Sequence, residues 1–449
     1  MELNEIVKAT CVDLNHEGLG VCKIDGFPIF VNDLLVNEVA TIKITKLNNN
    51  YGNGVIVKRI SDSSLRTRPI CKNFGVCGGC DLMHMTYPAQ LQFKLKMVNE
   101  TLKRIGHIDY EIKEIIEANN PYQYRNKVQI PYTYDGKKNI YGFYKKKSHE
   151  LVEFDDCIIG TKETSDIAKF VKNIFNEYKI PCYDEQKDSG VLRNLLVRKT
   201  YDNNYMVVLV SKVKTFNHLD DIVLKIKNRY SYVKSIILNF NPKKNNTILG
   251  DEYKVLYGED YLIEDILGLK FKMSHKAFFQ INHEQTEKLY SKALEFSGVT
   301  SSSTVLDVYC GVGTISLCFA KIAKKVIGIE VVEKAINNAK DNYKLNIDKL
   351  NSKDVEFICG KAEDLIESKL SNDIGILVCD PPRKGLDIKV SNAILNSNIK
   401  KFIYVSCDPA TLARDLEILT KNYAIKNSCC VDLFPNTCNV ETVIELERK

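Results

Sequence analysis

The stretch VLDVYCGVGTISL, residues 305–317, decides the fold class of this chain. An apolar strand pattern runs to Tyr309, two glycines follow at Gly311 and Gly313, and a helical pattern begins directly afterwards. Strand, glycine loop and helix in this order bring the backbone close to a bound nucleotide in doubly wound sheets. Because further apolar strands alternate with helical stretches down to residue 407, we predict a parallel α/β sheet.

The spacing around this loop favours S-adenosylmethionine over a dinucleotide. The segment VIGIE ends a second strand with Glu330, about twenty residues further on, where a carboxylate can accept hydrogen bonds from ribose hydroxyls. Leu317 stands near the place of the third glycine of a dinucleotide fingerprint, and Asp307 leads into the loop. We therefore predict an S-adenosylmethionine site.

Length and patterning predict two further domains before this sheet. A chain of 449 residues exceeds what one hydrophobic core usually serves. Residues 1–60 show about five short strand patterns separated by turn signals, which predicts an OB-like RNA-binding barrel. Residues 61–270 then form a central α+β domain, and residues 271–449 form the α/β domain. We see neither a signal peptide nor an apolar stretch of ~20 residues, so we expect a cytoplasmic protein.

The segment ILVCDPPRKGLD, residues 376–387, narrows the reaction. It places Asp380 at the end of a strand, followed by two prolines and Arg383. Methyltransferases that act on exocyclic amines tend to have an aromatic residue after the prolines, which stacks on the base. The arginine therefore argues against adenine N6 and favours methyl transfer to a carbon or to a different heteroatom.

Cys407 lies in YVSCDPATLARDL, residues 404–416, at the mouth of another strand. Carbon-5 of uracil is a poor nucleophile, but a thiolate that adds to carbon-6 turns the ring into an enolate with electron density at carbon-5. That carbon can take a methyl group, after which a base removes the carbon-5 proton and the thiol leaves. We predict Cys407 as the nucleophile, and we expect its thiol to be partly ionised at neutral pH.

The base in this scheme is predicted to be a carboxylate. All seven histidines lie at or before His283, so the α/β region after that point contains none. Glu441, at the start of a strand pattern, and Asp380 are the two candidates. Asp380 ends a strand on the cofactor side, which favours Glu441.

Three closely spaced cysteines predict a metal site. CKNFGVCGGCDLMH, residues 71–84, contains Cys71, Cys77 and Cys80, and Cys157 in VEFDDCIIG is the best-placed fourth ligand. Four thiolates suit either zinc or an iron–sulfur cluster, and their spacing does not separate the two. Three cysteines in apolar runs are interpreted as small buried core residues: Cys318, Cys359 and Cys379.

Together these motifs resemble those of bacterial 23S rRNA (uracil-5-)-methyltransferases that carry an N-terminal TRAM domain. The resemblance extends over nearly the whole chain and implies a TRAM barrel, a central domain with an iron–sulfur cluster and a Rossmann-like methyltransferase domain. It rests on the barrel pattern of residues 1–60, the cysteines of residues 71–80, YRNKVQIPY (124–132), FFQIN (278–282), DVYCGVGTISL (307–317), DPPRKGLD (380–387), SCDPATLARD (406–415) and FPNTCNVETV (434–443).

The resemblance also implies roles for individual residues. Cys407 would attack the uracil, Glu441 would accept the proton, and the four cysteines would hold a 4Fe-4S cluster rather than zinc. The chain departs from the family at Asn436 and Asn439, where histidines are frequent, so we expect different hydrogen bonding around the base. The implied contacts to S-adenosylmethionine are Gln280, Tyr309, Gly311, Gly313, Glu330, Asp364 and Asp380.

The charge distribution agrees with an RNA substrate. Residues 61–270 carry 33 Lys and Arg against 27 Asp and Glu, a surplus equal to the net charge of +6 of the whole chain. The resemblance implies that Arg125, Lys127, Arg193 and residues 145–147 in this region contact RNA phosphates. A uridine inside folded RNA would have to be flipped into the pocket.

We therefore predict a monomeric enzyme that makes 5-methyluridine in 23S rRNA and has no membrane partner. Two alternatives stay open: a tRNA uracil-5-methyltransferase, and a non-catalytic iron–sulfur protein that binds RNA. Versions of the tRNA enzyme often lack both the TRAM domain and the cluster, which favours rRNA. Asn436 and Asn439 are the support for the non-catalytic alternative.

Overall fold

The computed structural model describes residues 1–371 and 373–449 of the chain. A closed N-terminal barrel is followed by a central mixed sheet and then by a largely parallel C-terminal sheet. The predicted α/β fold class and the predicted N-terminal barrel are both confirmed. Within the described residues, no helix has the length and apolar character needed to cross a membrane.

Residues 6–61 form the closed barrel. Its strands are β1 (Ile6–Leu14), β2 (Gly20–Ile24), β3 (Phe27–Val31), β4 (Val39–Leu47) and β5 (Gly52–Ser61). They close in the order β1–β2–β3–β5–β4 around a small core that includes Cys11, Ile29 and Ile42. Alternation of inward and outward side chains is the period-2 signal that predicted these strands. Closure removes the sheet edges through which β proteins aggregate.

Two elements lie between the barrel and the central sheet. Helix α1 (Tyr87–Arg104) has Pro88 in its first turn, where a missing N–H costs little. The short strand β6 (Ile115–Ile116) follows it. Both belong by contact to the C-terminal sheet, as described below.

The central sheet has seven strands in the order β13–β12–β11–β10–β7–β8–β9. Its elements are β7 (Lys127–Tyr134), β8 (Asn139–Tyr144), β9 (Leu151–Glu153), α2 (Lys162–Glu177), β10 (Leu192–Lys199), β11 (Tyr205–Ser211), α3 (Leu219–Arg229), β12 (Val233–Phe240) and β13 (Glu252–Gly258). Helices α2 and α3 cover one face with a core of its own. The other face shares a core with the C-terminal domain through residues such as Leu196 and Val208.

The C-terminal domain begins with a hairpin and continues as alternating helices and strands. Its elements are β14 (Tyr261–Ile266), β15 (Leu269–Ser274), α4 (His283–Ser297), β16 (Thr304–Val308), α5 (Thr314–Ala320), β17 (Lys325–Glu330), α6 (Glu333–Asn346), β18 (Asp354–Cys359), α7 (Ala362–Lys369), β19 (Ile376–Cys379), α8 (Ile388–Asn396), β20 (Lys401–Ser406), α9 (Pro409–Leu419), β21 (Tyr423–Val431) and β22 (Glu441–Arg448). The sheet order is β18–β17–β16–β19–β20–β22–β21–β6, and strands β16–β20 are parallel.

The predicted division into residues 61–270 and 271–449 assigns two strands of one sheet to different domains. Strand β6 pairs in parallel with β21, so that Ile115 lies opposite Cys430. Helix α1 packs against α9 and places Val98 and Leu102 in the same core as β19 and β20. Residues 87–116 therefore complete the C-terminal domain rather than the central one.

Candidate active site

The motifs predicted to bind the cofactor and substrate lie at the carboxyl ends of β16, β17, β19 and β20. In the sheet, β16 stands between β17 and β19, and the chain order reverses there. Parallel α/β sheets bind ligands in the crevice above such a reversal. The fold thus brings sequence motifs that are up to a hundred residues apart to one edge.

The loop after β16 turns sharply toward α5. Tyr309, Gly311 and Gly313 all have positive φ, at 72°, 57° and 81°. A Cβ atom on Gly313 would lie 3.0 Å from the Phe357 ring and 3.1 Å from Ala339, so only glycine fits that position. A Cβ on Gly311 would meet nothing within 4 Å, which leaves the backbone open to a ligand.

Glu330 is fixed beside this loop at the end of β17. Its Oε2 accepts the N–H of Gly311 at 3.2 Å, and its Oε1 accepts the N–H of Val332 at 2.9 Å. The two hydrogen bonds therefore fix the positions of the loop and the Glu330 carboxylate relative to each other before any ligand binds. An open backbone next to an ordered carboxylate fits the adenosine part of S-adenosylmethionine.

Gln280 lies in the loop between β15 and α4. The side chain of Asn126 donates to the Gln280 carbonyl at 3.1 Å, and the N–H of Asn126 donates to Ile281 at 2.8 Å. The segments YRNK and FFQIN, which the sequence analysis treated separately, are thus clamped together. Asn126 is a residue that the sequence analysis missed, because an amide between two basic residues carries no pattern of its own.

Asp364 is exposed on the first turn of α7. Its neighbour Glu363 is half-buried, and its charge, after burial and Cys379, helps to raise the pKa of Tyr309. Glu363 therefore lies closer to the cofactor loop than its neighbour does. The prediction for Asp364 is untested, and Glu363 is a further candidate that the sequence analysis did not single out.

Three carboxyl groups lie at the centre of the crevice, where Asp307 and Glu441 are buried and Asp380 is half-buried. Burial raises the pKa of Asp307 to about 7, and a hydrogen bond from Ser316 partly offsets the shift. Burial and then the charge of Asp307 raise the pKa of Asp380 to about 7. Burial and the charge of Asp380 raise the pKa of Glu441 well above its usual range, and its Oε2 has no hydrogen-bond partner.

Cys407 lies next to these carboxyls, at the end of β20. Ser406 pairs with Thr442, and this register brings Cys407 beside Glu441 at the start of β22. Burial, then the charges of Glu441 and Asp380, raise the pKa of the thiol to about 12, while Arg383 lowers it in part. This contradicts the expectation of a partly ionised thiol in the free protein, because burial and then the acidic neighbours both raise its pKa.

This arrangement favours positive charge and proton transfer. A sulfonium cation placed among Asp307, Asp380 and Glu441 would relieve their mutual repulsion. A thiol and an unpartnered carboxylate lie beside that place, and carboxyls with a pKa of about 7 exchange protons readily at neutral pH. The residues present thus fit S-adenosylmethionine, whose methyl group is carried by a sulfonium.

Comparison with known proteins decides the family. The family model described as tRNA (uracil-5-)-methyltransferase matches residues 86–449, and the TRAM domain model matches residues 2–57. The chain belongs to the RNA (uracil-5-)-methyltransferase family. It is an S-adenosylmethionine-dependent methyltransferase that acts on RNA and carries an N-terminal TRAM domain.

Similar proteins cover the methyltransferase from end to end. An RNA methyltransferase of Halalkalibacterium halodurans is 41% identical over 99% of this chain and 98% of its own length. One from Clostridium acetobutylicum is 41% identical over 97% of this chain and 95% of its own length. The crystal structure of Pyrococcus abyssi tRNA (uracil-54, C5)-methyltransferase with S-adenosyl-L-homocysteine has a TM-score of 0.79 and 25% identity, covering 98% of this chain and 99% of that one.

The two asparagines at which the methyltransferase departs from its family's frequent histidines have different surroundings. Asn436 is buried, and its side chain is hydrogen-bonded at both ends, to Gln90 and to Pro121. Asn439 is exposed, and its Nδ2 lies 3.4 Å from Thr437 Oγ1. Asn436 therefore belongs to a buried hydrogen-bond network, whereas Asn439 faces solvent.

The four predicted cluster ligands face one cavity of the methyltransferase. Cys71, Cys77, Cys80 and Cys157 line a space of about 370 Å³, together with Arg125. Burial raises the pKa of Cys80, and the three other thiols raise it further. In the described residues, however, no group of three or more Cys, His, Asp or Glu side chains is arranged so that it could hold a metal ion. The 4Fe-4S cluster stays a prediction.

Two of the three cysteines interpreted as core residues are buried. Cys318 and Cys379 lie in the apolar cores on the two faces of the sheet. Cys359 is instead exposed, so its interpretation as a buried core residue was wrong. It ends β18, where the strand emerges from the sheet, and its Sγ lies 3.7 Å from the Val331 carbonyl.

The predicted RNA contacts fall in three different environments. Lys127 is half-buried directly opposite Arg198 in the β7–β10 register, and burial, Arg198 and Arg125 lower its pKa to about 8. Arg193 donates to the carbonyls of Asn241 and Lys243 and stacks 4.7 Å over the Tyr183 ring. The lysines of residues 145–147 form ion pairs with Glu150, Asp81 and Glu17.

Proposed function

We propose that this enzyme transfers a methyl group from S-adenosylmethionine to carbon-5 of a uridine in 23S rRNA, through a covalent adduct on Cys407. The observation that carries the proposal is the convergence of a half-buried thiol, an unpartnered buried carboxylate and an adenosine-binding loop at one sheet edge. The family's uracil-5 chemistry requires a nucleophile, a methyl donor and a base within reach of one ring.

Cys407 would open the reaction. Its thiol proton passes to a neighbouring carboxylate as the sulfur bonds to carbon-6 and the ring's double bond becomes an enolate. Bound S-adenosylmethionine supplies an electrophilic methyl group, which carbon-5 takes up. Because the free thiol has a pKa of about 12, attack waits until the substrates have changed its surroundings. An idle enzyme is thereby protected from alkylation.

Glu441 would close the reaction. Its unpartnered Oε2 can accept the proton from carbon-5, whose electrons re-form the ring double bond while the bond between carbon-6 and sulfur breaks. Burial and the charge of Asp380 raise the pKa of Glu441, which makes it a stronger base than an exposed glutamate. We assign Asp380, whose pKa is raised by burial and by the charge of Asp307, to the cofactor side of the crevice.

RNA would lie along the junction of the central and C-terminal domains. Lys127 lies directly opposite Arg198 on the sheet face toward the C-terminal domain. Arg198 is fully buried and donates to the carbonyls of His275 and Ala277, so Lys127 is the cation of this pair that RNA can reach. Arg125 is a further cation close to Lys127. Half-buried cations such as Lys127 and Arg125 suit phosphate groups, which supply affinity rather than sequence choice. The contacts proposed for Arg125 and Lys127 rest on this argument and on the family resemblance, and the contact proposed for Arg193 rests on the resemblance.

We further propose that Cys71, Cys77, Cys80 and Cys157 hold a 4Fe-4S cluster with a structural role. All four line one cavity. After burial, Cys71 helps to raise the pKa of Cys77, and Cys77 and Cys71 help to raise the pKa of Cys157, so bound iron would relieve the repulsion between these thiols. A single zinc ion needs sulfurs about 2.3 Å from one centre. A cubane holds its ligands further apart, which suits thiols that do not converge on one point.

One observation favours the tRNA alternative. The Pyrococcus abyssi tRNA enzyme matches 98% of this chain, so its fold includes the N-terminal barrel. The barrel therefore does not separate rRNA enzymes from tRNA enzymes. We keep 23S rRNA as the proposed substrate on the resemblance of the motifs, and the experiment below tests both RNAs.

The deciding experiment is mass spectrometry of the enzyme after incubation with S-adenosylmethionine and RNA that contains 5-fluorouridine. Fluorine at carbon-5 cannot leave as a proton does, so a thiol-first mechanism traps the protein on the RNA. We expect a covalent adduct with 23S rRNA for the wild type and for Cys359→Ala, whose thiol is exposed, but not for Cys407→Ala.

The adduct also identifies the substrate. An adduct with tRNA but not with rRNA would show that the substrate is tRNA, as in the first alternative. Binding of both RNAs without any adduct contradicts the role of Cys407 and favours the non-catalytic alternative.

We also propose that the enzyme acts as a cytoplasmic monomer, because one chain supplies every group of the site. Light scattering that gives a mass above 51.1 kDa contradicts this.

A further inference from the structure

The segment that leads into Glu441 is held by an unusual number of outside groups. We name residues 432–440, between β21 and β22, the base loop. Four successive carbonyls of this loop accept hydrogen bonds from elements far away in the chain. The donors are Gln285 to Asp432 (3.1 Å), Asn282 to Leu433 (3.1 Å), Lys94 to Phe434 (2.9 Å) and Tyr124 to Pro435 (3.0 Å).

Asn436 is the point at which most of these contacts meet. Its N–H donates to Gln90 Oε1 at 2.9 Å, while Gln90 Nε2 donates back to Asn436 Oδ1 at 3.2 Å. Its own Nδ2 donates to the Pro121 carbonyl at 2.8 Å. Gln90 and Asn436 are 2% and 1% exposed, so water does not compete for these bonds.

The backbone of Asn436 ties the base loop to the cysteine-bearing segment as well. Its carbonyl accepts the N–H groups of Asp81 and Leu82, at 2.9 and 3.0 Å, immediately after Cys80. Its φ of 67° is a left-handed conformation that asparagine tolerates better than most residues. The loop is therefore gripped from helix α1 on one side and from the cysteine-bearing segment on the other.

We propose that Gln90 and Asn436 are positioning residues for Glu441, which hold the base loop so that the glutamate stays beside Cys407. A buried carboxylate oxygen without a partner gains free energy if it can reach a donor or water. The positive charge of Arg383 acts on Glu441 and partly offsets the rise of its pKa. A loosened base loop would let the carboxylate relax toward Arg383 and away from the substrate carbon.

This inference rests on the proposed role of Glu441 as proton acceptor, and it predicts a specific failure. With a displaced base, sulfur still bonds to carbon-6 and carbon-5 still takes the methyl group. The carbon-5 proton is then not removed, so the ring double bond does not re-form and the bond to sulfur does not break. The protein stays covalently attached to ordinary uridine RNA. A merely structural defect lowers turnover without leaving this adduct.

The test compares Gln90→Met with Gln92→Met. Gln90→Met keeps the length of the side chain but removes both bonds to Asn436, whereas Gln92 is exposed on the same helix. We expect Gln90→Met to lower kcat by about 10- to 100-fold with KM within about twofold, since small misplacements of reacting groups cost this much. We also expect its adduct with ordinary uridine RNA to persist, while Gln92→Met matches the wild type.

Asn436→Gly is the second variant, because glycine accepts the positive φ and removes only the amide. It should show the same split between kcat and KM and the same adduct, and it decides the question if Gln90→Met does not fold. Turnover within twofold of the wild type in a folded variant overturns the proposal, and so does lost turnover without an adduct. A wild type that neither methylates RNA nor is trapped by 5-fluorouridine instead contradicts the proposed function itself.

Discussion

Two regions of the chain contain half-buried thiols, and the neighbours of these thiols differ. Cys407 is surrounded by carboxyl groups, with Arg383 as the counter-charge that acts on it. The cysteines of the 370 Å³ cavity are surrounded by one another. Burial raises the pKa of both Cys407 and Cys80, yet the next contributions come from Glu441 and Asp380 for Cys407 and from the three other cavity thiols for Cys80.

This difference separates two uses of sulfur. A thiol among carboxyls can hand its proton to a neighbour and recover it, which suits a nucleophile that must form and break a bond in each cycle. The charges that act on Cys80 come chiefly from the other three thiols, and a cation bound between the four would balance them. The neighbours of a cysteine, more than its depth, therefore indicate its role.

The largest expected effect tests the acid side of this comparison. In Glu441→Gln the amide cannot accept the carbon-5 proton, so we expect turnover to fall about 10³-fold. Covalent protein–RNA complexes on ordinary uridine should accumulate, seen by denaturing gel and mass spectrometry. Glu447→Gln, an exposed glutamate on the same strand, is the control and should keep wild-type turnover. Normal release of methylated RNA by Glu441→Gln would transfer the base role to another residue.

The second prediction tests how firmly the base loop is anchored. This loop connects the two regions, because it contacts the segment after Cys80 and leads to Glu441 beside Cys407. Lys94 and Asp432 form a fully buried ion pair at 2.5 Å that anchors the base loop to α1. Lys94→Met leaves the Asp432 carboxylate buried without its counter-charge, which we expect to cost about 3–5 kcal/mol of unfolding free energy. Urea denaturation at pH 7 measures this cost. The double variant Lys94→Met/Asp432→Leu should regain most of the loss, and a double variant as unstable as the single one contradicts the account.

The third prediction tests the thiol side. Cys80→Ser removes the most strongly perturbed ligand of the cavity, so iron bound per chain, assayed on anaerobically purified protein, should fall from about four to below one. We expect a lower melting temperature but the same rate of Cys407 alkylation by iodoacetamide. Cys359→Ser is the matched control and should keep its iron. Zinc instead of iron in the wild type would replace the cluster by a single-ion site.

The smallest expected effect concerns the reactivity of Cys407 in the free enzyme. Alkylation needs the thiolate, so its rate should rise with pH up to about 12 in the wild type. Asp380→Asn removes a neighbouring negative charge and lowers this pKa, and each unit of decrease raises the thiolate fraction at pH 8 about tenfold. Asp354→Asn, exposed at the far side of the sheet, should leave the rate unchanged. Equal rates for all three proteins would mean that Asp380 does not act on the thiol.

Much of the fold followed from local patterns. Alternation in residues 1–60 predicted the barrel, and the glycine loop predicted the sheet edge that carries Tyr309, Glu330 and Asp380. Strand β6 was not predicted, because a strand of two isoleucines is too short to show the alternation of a β-strand. Its pairing with β21 depends on tertiary contacts alone. Residues 87–116 were therefore assigned to the central domain.

The chemistry of the site was harder to predict than its location. Glu441 was singled out by the absence of histidines after residue 283, and the structure places it beside Cys407. The thiol's pKa could not be predicted from sequence, because it depends on burial and on acids that the fold brings beside it from β22 and from the end of β19. Gln90 was missed for the same reason: its partner Asn436 lies at the other end of the chain.

The pairing of residue 115 with residue 430 also bears on how the enzyme is made. Domains generally fold in order as they leave the ribosome, but helix α1 and strand β6 cannot dock until β21 and α9 have been synthesised. The barrel and the central sheet can therefore form early, while the helix between them waits with its apolar face uncovered. Synthesis that pauses before residue 423 would leave an inactive intermediate that exposes this face to chaperones.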